Sequence, residues 1–87
     1  MIGKIKDQID VIINGLLNES KDYEQLNTNY GKATARINEG IHKMKTAKVW
    51  TEDEINSIDD FAITQLNRKY YEMCAIIKSD SRENWTF

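Results

Sequence analysis

Stepping from Ile2 by threes and fours, the chain presents Ile2, Ile5, Ile9, Ile12, Leu16, Glu19, Tyr23, Leu26, Tyr30, Ala33, Ile37, Gly40, Met44 and Ala47. Twelve of these fourteen positions are apolar or aromatic, where a hydrophobic fraction of 40% would place about six by chance. A seam that holds phase for more than six heptads selects helix-on-helix packing, within the chain or between chains. With no proline, four glycines and no strand-like alternation between turn signals, 87 residues read as one all-α domain spanning 1–87. A domain of that size has enough core to fold and little to spare.

The sharpest boundary is Val49-Trp50-Thr51-Glu52-Asp53-Glu54-Ile55. Thr51 is placed as a helix N-cap, and Glu54, three residues on, can reach back to complete a capping box. Trp50 and Ile55 occupy the two positions of a hydrophobic staple. Lys43, Lys45 and Lys48 crowd a helix C-terminus upstream, and Glu52 to Glu54 crowd an N-terminus downstream, as the helix dipole favours. A turn is therefore expected at 48–51, followed by a helix over about 52–78 and a tail over 79–87. The second helix carries Ile55, Ile58, Ala62, Leu66, Tyr70, Met73 and Ile77, widened by Phe61, Ile63, Tyr71, Cys74 and Ile76. That face is broader than one antiparallel neighbour covers.

Residues 19–31 admit two readings. Ser20 can cap a new helix, and Asn27 to Gly31 is poor in helix formers. The heptad phase nevertheless runs through, which favours one long helix over about 2–47, bent or broken near 19–31. The expectation is an antiparallel helical hairpin with a long heptad-patterned first helix, and the alternative is a three-helix bundle. The choice bears on function. A first helix of about 46 residues would be roughly 69 Å long against about 40 Å for the second. Ile2, Ile5, Ile9, Ile12 and Leu16 would then lack a partner within the chain and would form an oligomer interface by coiled-coil-like packing.

The charge balance is near neutral, with 12 basic and 14 acidic residues, which argues against a protein that lives on phosphate contacts. A single cysteine, Cys74, excludes an internal disulfide, and with one histidine, His42, it excludes a zinc site. No run approaches the ~20 apolar residues of a membrane span, and the N-terminus lacks a signal-peptide layout. A cytoplasmic protein is expected. Twelve Ile, nine Lys and eight Asn suggest an AT-rich genome, such as a low-GC bacterium or a phage infecting one.

Catalytic patterns are missing from the sequence: no glycine-rich phosphate loop, no nucleophile elbow and no His-Glu-x-x-His pair. Cys74 and His42 fall on different helices at different distances from the turn, so they do not make a nucleophile and base. Glu52, Asp53, Glu54, Asp59 and Asp60 are explained by capping, dipole and solvation rather than by a metal. No cofactor is implied. Ile5 to Ile12 resembles the first helix of helical chorismate mutases, yet that family surrounds its substrate with arginines and none precedes Arg36 here. A last helix followed by Trp85 and Phe87 resembles Hha-type nucleoid modulators, without their charged signature at Phe61 to Leu66.

Two groups remain as binding candidates. Trp85 and Phe87 close the chain and are expected either to fold back or to dock on a partner. Tyr30, Lys32, Arg36, Arg68 and Tyr70, with Tyr23, Lys69 and Tyr71 nearby, supply the rings and cations that stack on a base and pair with phosphate. The expected function is therefore a non-enzymatic, homo-oligomeric interaction protein that regulates or inhibits a larger protein, of the kind phages and mobile elements carry. The alternative is an oligomer that sequesters an anionic, nucleotide-like ligand at the Tyr/Arg/Lys group.

Overall fold

In a computed structural model, residues 2–83 are described, with side-chain surroundings for 3–79. Three helices make up the fold: α1 over Ile2–Leu17, α2 over Tyr23–Ala47 and α3 over Glu52–Glu83. No strand occurs among the described residues. The order is up, down, up. Tyr23 lies against Cys74, Asn27 against Tyr70 and Tyr30 against Asn67, so α2 runs antiparallel to α3. Lys6 sits over the Phe61 ring at 5.2 Å, while Asp10 and Asn14 line a groove with Arg68 and Glu72, so α1 runs parallel to α3.

The long first helix is thus not formed, and the three-helix alternative describes the chain. The break lies at 18–22, at the near edge of the suspect stretch, and α2 passes through Gly31 without interruption. Its cause is local chemistry at Asp22. The extended backbone there (φ −144°, ψ 175°) lets the carboxylate accept from the Gln25 amide at 2.8 Å, and the Gln25 side chain returns a bond to the Lys21 amide at 2.8 Å. These bonds satisfy donors that a helix start leaves orphaned. Ser20 does not cap α2. Its amide donates to the Leu17 carbonyl at 3.1 Å, and its buried hydroxyl accepts from the Asn29 side chain at 2.9 Å, which ties the loop down onto α2.

Folding back gives the N-terminal isoleucines an intrachain partner. Ile9, Ile13 and Leu17 are buried, and Ile5, Ile12 and Leu16 pack partly against the same core. The deepest line of α1 is displaced from the heptad seam, since Ile13 (2% exposed) and Leu17 (0%) lie deeper than their neighbours Ile12 and Leu16. A helix held between two others needs a stripe wider than a two-stranded seam, and the doublets Ile12-Ile13 and Leu16-Leu17 provide it. Leu26, Ala33, Ile37, Ile41 and Met44 of α2 and Ile55, Ile58, Ala62, Leu66, Met73 and Ile77 of α3 complete the core.

The expected turn is present. Thr51 Oγ1 accepts from the Glu54 amide at 3.1 Å, and Glu54 Oε1 accepts from the Thr51 amide at 2.9 Å, a full capping box. Those bonds hold the Glu54 carboxyl below its ordinary range, the backbone one contributing most. Trp50 packs half-buried on the core that includes Ile55. Lys48 closes α2 in the left-handed region (φ 58°, ψ 22°), the conformation that ends many helices and that glycine adopts at least cost. α3 runs to Glu83, about a turn and a half beyond the expected 78.

Candidate functional site

Three helices leave three grooves, and their linings differ in kind. Between α1 and α2 lies an apolar groove of about 190 Å³. Its walls include Ile5, Ile12, Ile37 and Met44, and Gln8 and Arg36 are its polar members. Gly40 also lines it, and a Cβ built there would meet nothing within 4 Å, as at the other three glycines. This glycine is helical, at ordinary φ, and relieves no close approach, so the missing side chain leaves space and costs helix propensity of about 1 kcal/mol.

The α1–α3 groove, about 250 Å³, is charged: Asp10, Arg68, Lys69 and Glu72 line it over Ile13. Lys69 is largely covered and meets Glu72 at 3.8 Å. The α2–α3 groove is nearly uncharged. At its centre the Tyr30 hydroxyl donates to Asn67 Oδ1 at 3.2 Å and the Tyr70 hydroxyl donates to Asn27 Oδ1 at 2.7 Å. The two rings meet edge to face at 5.2 Å, and Tyr71 adds a second edge contact to Tyr70 at 6.0 Å. Burial against α2, with the Cys74 thiol one turn on, pushes the Tyr70 hydroxyl above its ordinary value.

The arrangement is reciprocal. Asn27-Thr28-Asn29-Tyr30 on α2 and Asn67-Arg68-Lys69-Tyr70 on α3 are the same Asn-x-x-Tyr pattern, placed at equal distances from the turn at Lys48-Val49. Each tyrosine reaches the asparagine of the other helix. The pairing fixes the α2–α3 register, since a slip by one residue breaks both bonds. The sequence marks the tyrosines as stacking surfaces and does not single out the two asparagines. Their signal was the duplicated pattern.

The candidate ligand group is not brought together. Tyr30 and Tyr70 meet in the α2–α3 groove, Arg36 lies in the α1–α2 groove and Arg68 in the α1–α3 groove. Lys32 lines a fourth, acidic depression with Glu19, Asp22 and Glu24 beside the α1–α2 loop. α1 stands between Arg36 and Arg68. Tyr30 and Tyr70 therefore share a surface with each other and with no cation of the group.

Of the expected interface residues, Ile9 is in the core, Ile5, Ile12 and Leu16 are half-buried on it, and the Ile2 side chain lies outside the described set. Trp85 and Phe87 lie outside the described residues. Cys74 is level with Tyr23, and His42 is nineteen residues further along α2, about 28 Å away on a helix. Among the described residues no three His, Cys, Asp or Glu side chains gather as metal ligands, and no helix is long and apolar enough to cross a membrane. No protein family, curated protein or solved structure matches this chain.

Proposed function

We propose that the protein is a non-catalytic interaction module that regulates or inhibits a larger protein by seating one of its segments in the α1–α2 groove. The observation that carries this reading is the apolar opening at Gly40, walled by Ile5 and Ile12 with Arg36 at its polar edge. A bundle selected only for stability gains from any side chain at position 40, through both propensity and contact. An open groove beside a glycine suits an incoming side chain instead. The partner chemistry that fits is an amphipathic segment with a Leu, Ile or Phe anchor and a carboxylate for Arg36, which makes no ion pair among the described residues.

Gly40→Leu tests this reading without endangering the fold. The new side chain grows into open space on a better helix former, so the bundle keeps its stability while the groove is filled. A protein captured by the parent and then purified is expected to lose at least about tenfold in affinity for Gly40→Leu, and again for Arg36→Glu. A partner that binds Gly40→Leu as tightly as the parent would overturn the assignment.

For the alternative, an oligomer that sequesters an anionic nucleotide-like ligand, Arg36, Arg68 and the Tyr30–Tyr70 pair of one copy open into separate grooves, which favours the first reading. Calorimetry against mono-, di- and cyclic nucleotides is expected to be silent. Heat that disappears in an Arg36→Gln, Arg68→Gln double variant would favour that alternative over the first reading.

A further inference from the structure

The solvent-facing side of α3 carries Asp60, Thr64, Asn67, Tyr71, Cys74 and Lys78 at steps of four, three, four, three and four. That spacing defines one stripe on a helix, and Asp60 and Lys78, eighteen residues apart, sit at the same angle on it. All six are exposed except Cys74, which is half-buried. Tyr71 is 72% exposed, and Ile63 on the flank is 53% exposed. These two are among the few large apolar side chains of α3 that the core leaves uncovered.

The spacing reads the same in both directions. Laid antiparallel on itself about a point midway between Asn67 and Tyr71, the stripe pairs Asp60 with Lys78 of a second copy. Thr64 then meets Cys74, and Asn67 meets Tyr71, each pair occurring twice about the two-fold axis. A parallel arrangement would instead set Asp60 on Asp60 and Lys78 on Lys78. The Asn67 carboxamide oxygen already accepts from Tyr30, so its NH2 is the group turned to a new partner, and a tyrosine oxygen can accept from it.

We infer that the exposed stripe of α3 binds a second copy of this chain, antiparallel and two-fold symmetric, with Asp60–Lys78 ion pairs at both ends and Tyr71 near the centre. An isologous contact requires a self-complementary surface, and charge reversal between the two ends supplies one. Flanking α2 positions on that side, Asn27, Thr34 and Asn38, are uncharged, and Asp59 of α3 is the charged member of that flank. The contact runs about 27 Å along α3 and is about one helix wide, some 300 Å² per copy before the α2 flanks are counted. That is below the ~800 Å² per partner of a stable interface, so the dimer is reversible and concentration-dependent. It leaves the α1–α2 groove on the far side open in both copies and does not rest on the function proposed for that groove.

Sedimentation equilibrium of the full chain from about 10 μM to 1 mM is expected to show a monomer–dimer exchange. Asp60→Lys and Lys78→Asp should each weaken it at least about tenfold, and the two together should return it to within about threefold of the parent. Register is read separately through Thr64→Cys. Under copper–phenanthroline, which takes up the two electrons, the introduced thiol should join Cys74 of the other copy in a covalent dimer. The parent should not, because its two Cys74 residues would lie ten residues out of register, about 15 Å apart along the axis. Circular dichroism confirms that each variant is folded. A monomer at 1 mM overturns the inference, and so does a dimer whose charge-swapped double variant stays weak or whose Thr64→Cys form does not cross-link.

Discussion

Leu16 and Leu17 are adjacent, chemically identical and differently placed, so truncating each separates the two ways this chain could use its N-terminal apolar residues. In the bundle Leu17 is fully buried between α2 and α3, whereas Leu16 packs only partly on the core. Leu17→Ala forfeits the transfer free energy of a buried leucine, about 1.5–3 kcal/mol, and leaves a cavity whose lining relaxes incompletely. The expected total is about 3–4 kcal/mol. Leu16→Ala, at a half-covered site able to collapse onto solvent, should cost about 1–2 kcal/mol. A domain of this size has about 4–13 kcal/mol in total, so the Leu17 variant should melt roughly 12–30 °C lower than the parent. Urea unfolding followed at 222 nm gives both differences directly, and repetition at several protein concentrations separates intrachain from interchain burial. If Leu16→Ala is the more damaging change, or if the loss at Leu17 shrinks at high protein concentration, the seam faces another chain and the bundle reading fails.

Thr51→Ala removes half of the capping box at the start of α3 and should cost about 1 kcal/mol in thermal or urea unfolding. The carboxyl of Glu54 titrates below its ordinary 4.5, so its stabilising share is present above that value and is lost as the pH falls through the depressed one; stability profiles of parent and Glu54→Gln should converge toward acid pH. Lys48→Gly, at a left-handed position, should stabilise by about 1 kcal/mol, and an unchanged melting temperature would count against the backbone assignment there. Tyr70→Phe should cost about 1 kcal/mol through the lost bond to Asn27. It should also remove a loss of stability that the parent shows as the pH rises from 10 through the raised Tyr70 value.

The helical class, the Lys48–Thr51 turn and its capping box were legible because each rests on local chemistry with a fixed offset in sequence: a hydroxyl, a carboxylate three residues later, charges that switch sign across the turn. The break at 18–22 was harder to read. Asp22 and Gln25 have the same offset as Thr51 and Glu54, but a heptad phase that ran through them masked the signal. A preserved phase does not require a continuous helix, because a five-residue loop can return the chain on itself and bury the same residues from the opposite direction. The doublets Ile12-Ile13 and Leu16-Leu17 were the better indicator of helix number. Two adjacent apolar residues repeated at a four-residue spacing describe a face that touches two neighbours, which a hairpin seam does not need.

Where function can reside changes with that one loop. In an extended hairpin, Ile5, Ile12 and Arg36 would share a long exposed flank, with the isoleucines free for another chain. Once α1 folds back, the isoleucines become the walls of a groove, and α1 itself separates Arg36 from Arg68. Among the described residues, two stretches of surface left for partners are then an opening at Gly40 and the Tyr71–Ile63 stripe of α3, on different sides of the bundle, while Val11 and Val49 are exposed elsewhere. Each contains a residue that a stability-only design would replace, Gly40 by a larger helix former and Tyr71 by a charged one. Replacing Gly40 should disturb binding to a target and leave self-association unchanged, and replacing Tyr71 should do the reverse. A variant at either position that altered both would mean that the two surfaces are coupled through α2, the helix they share.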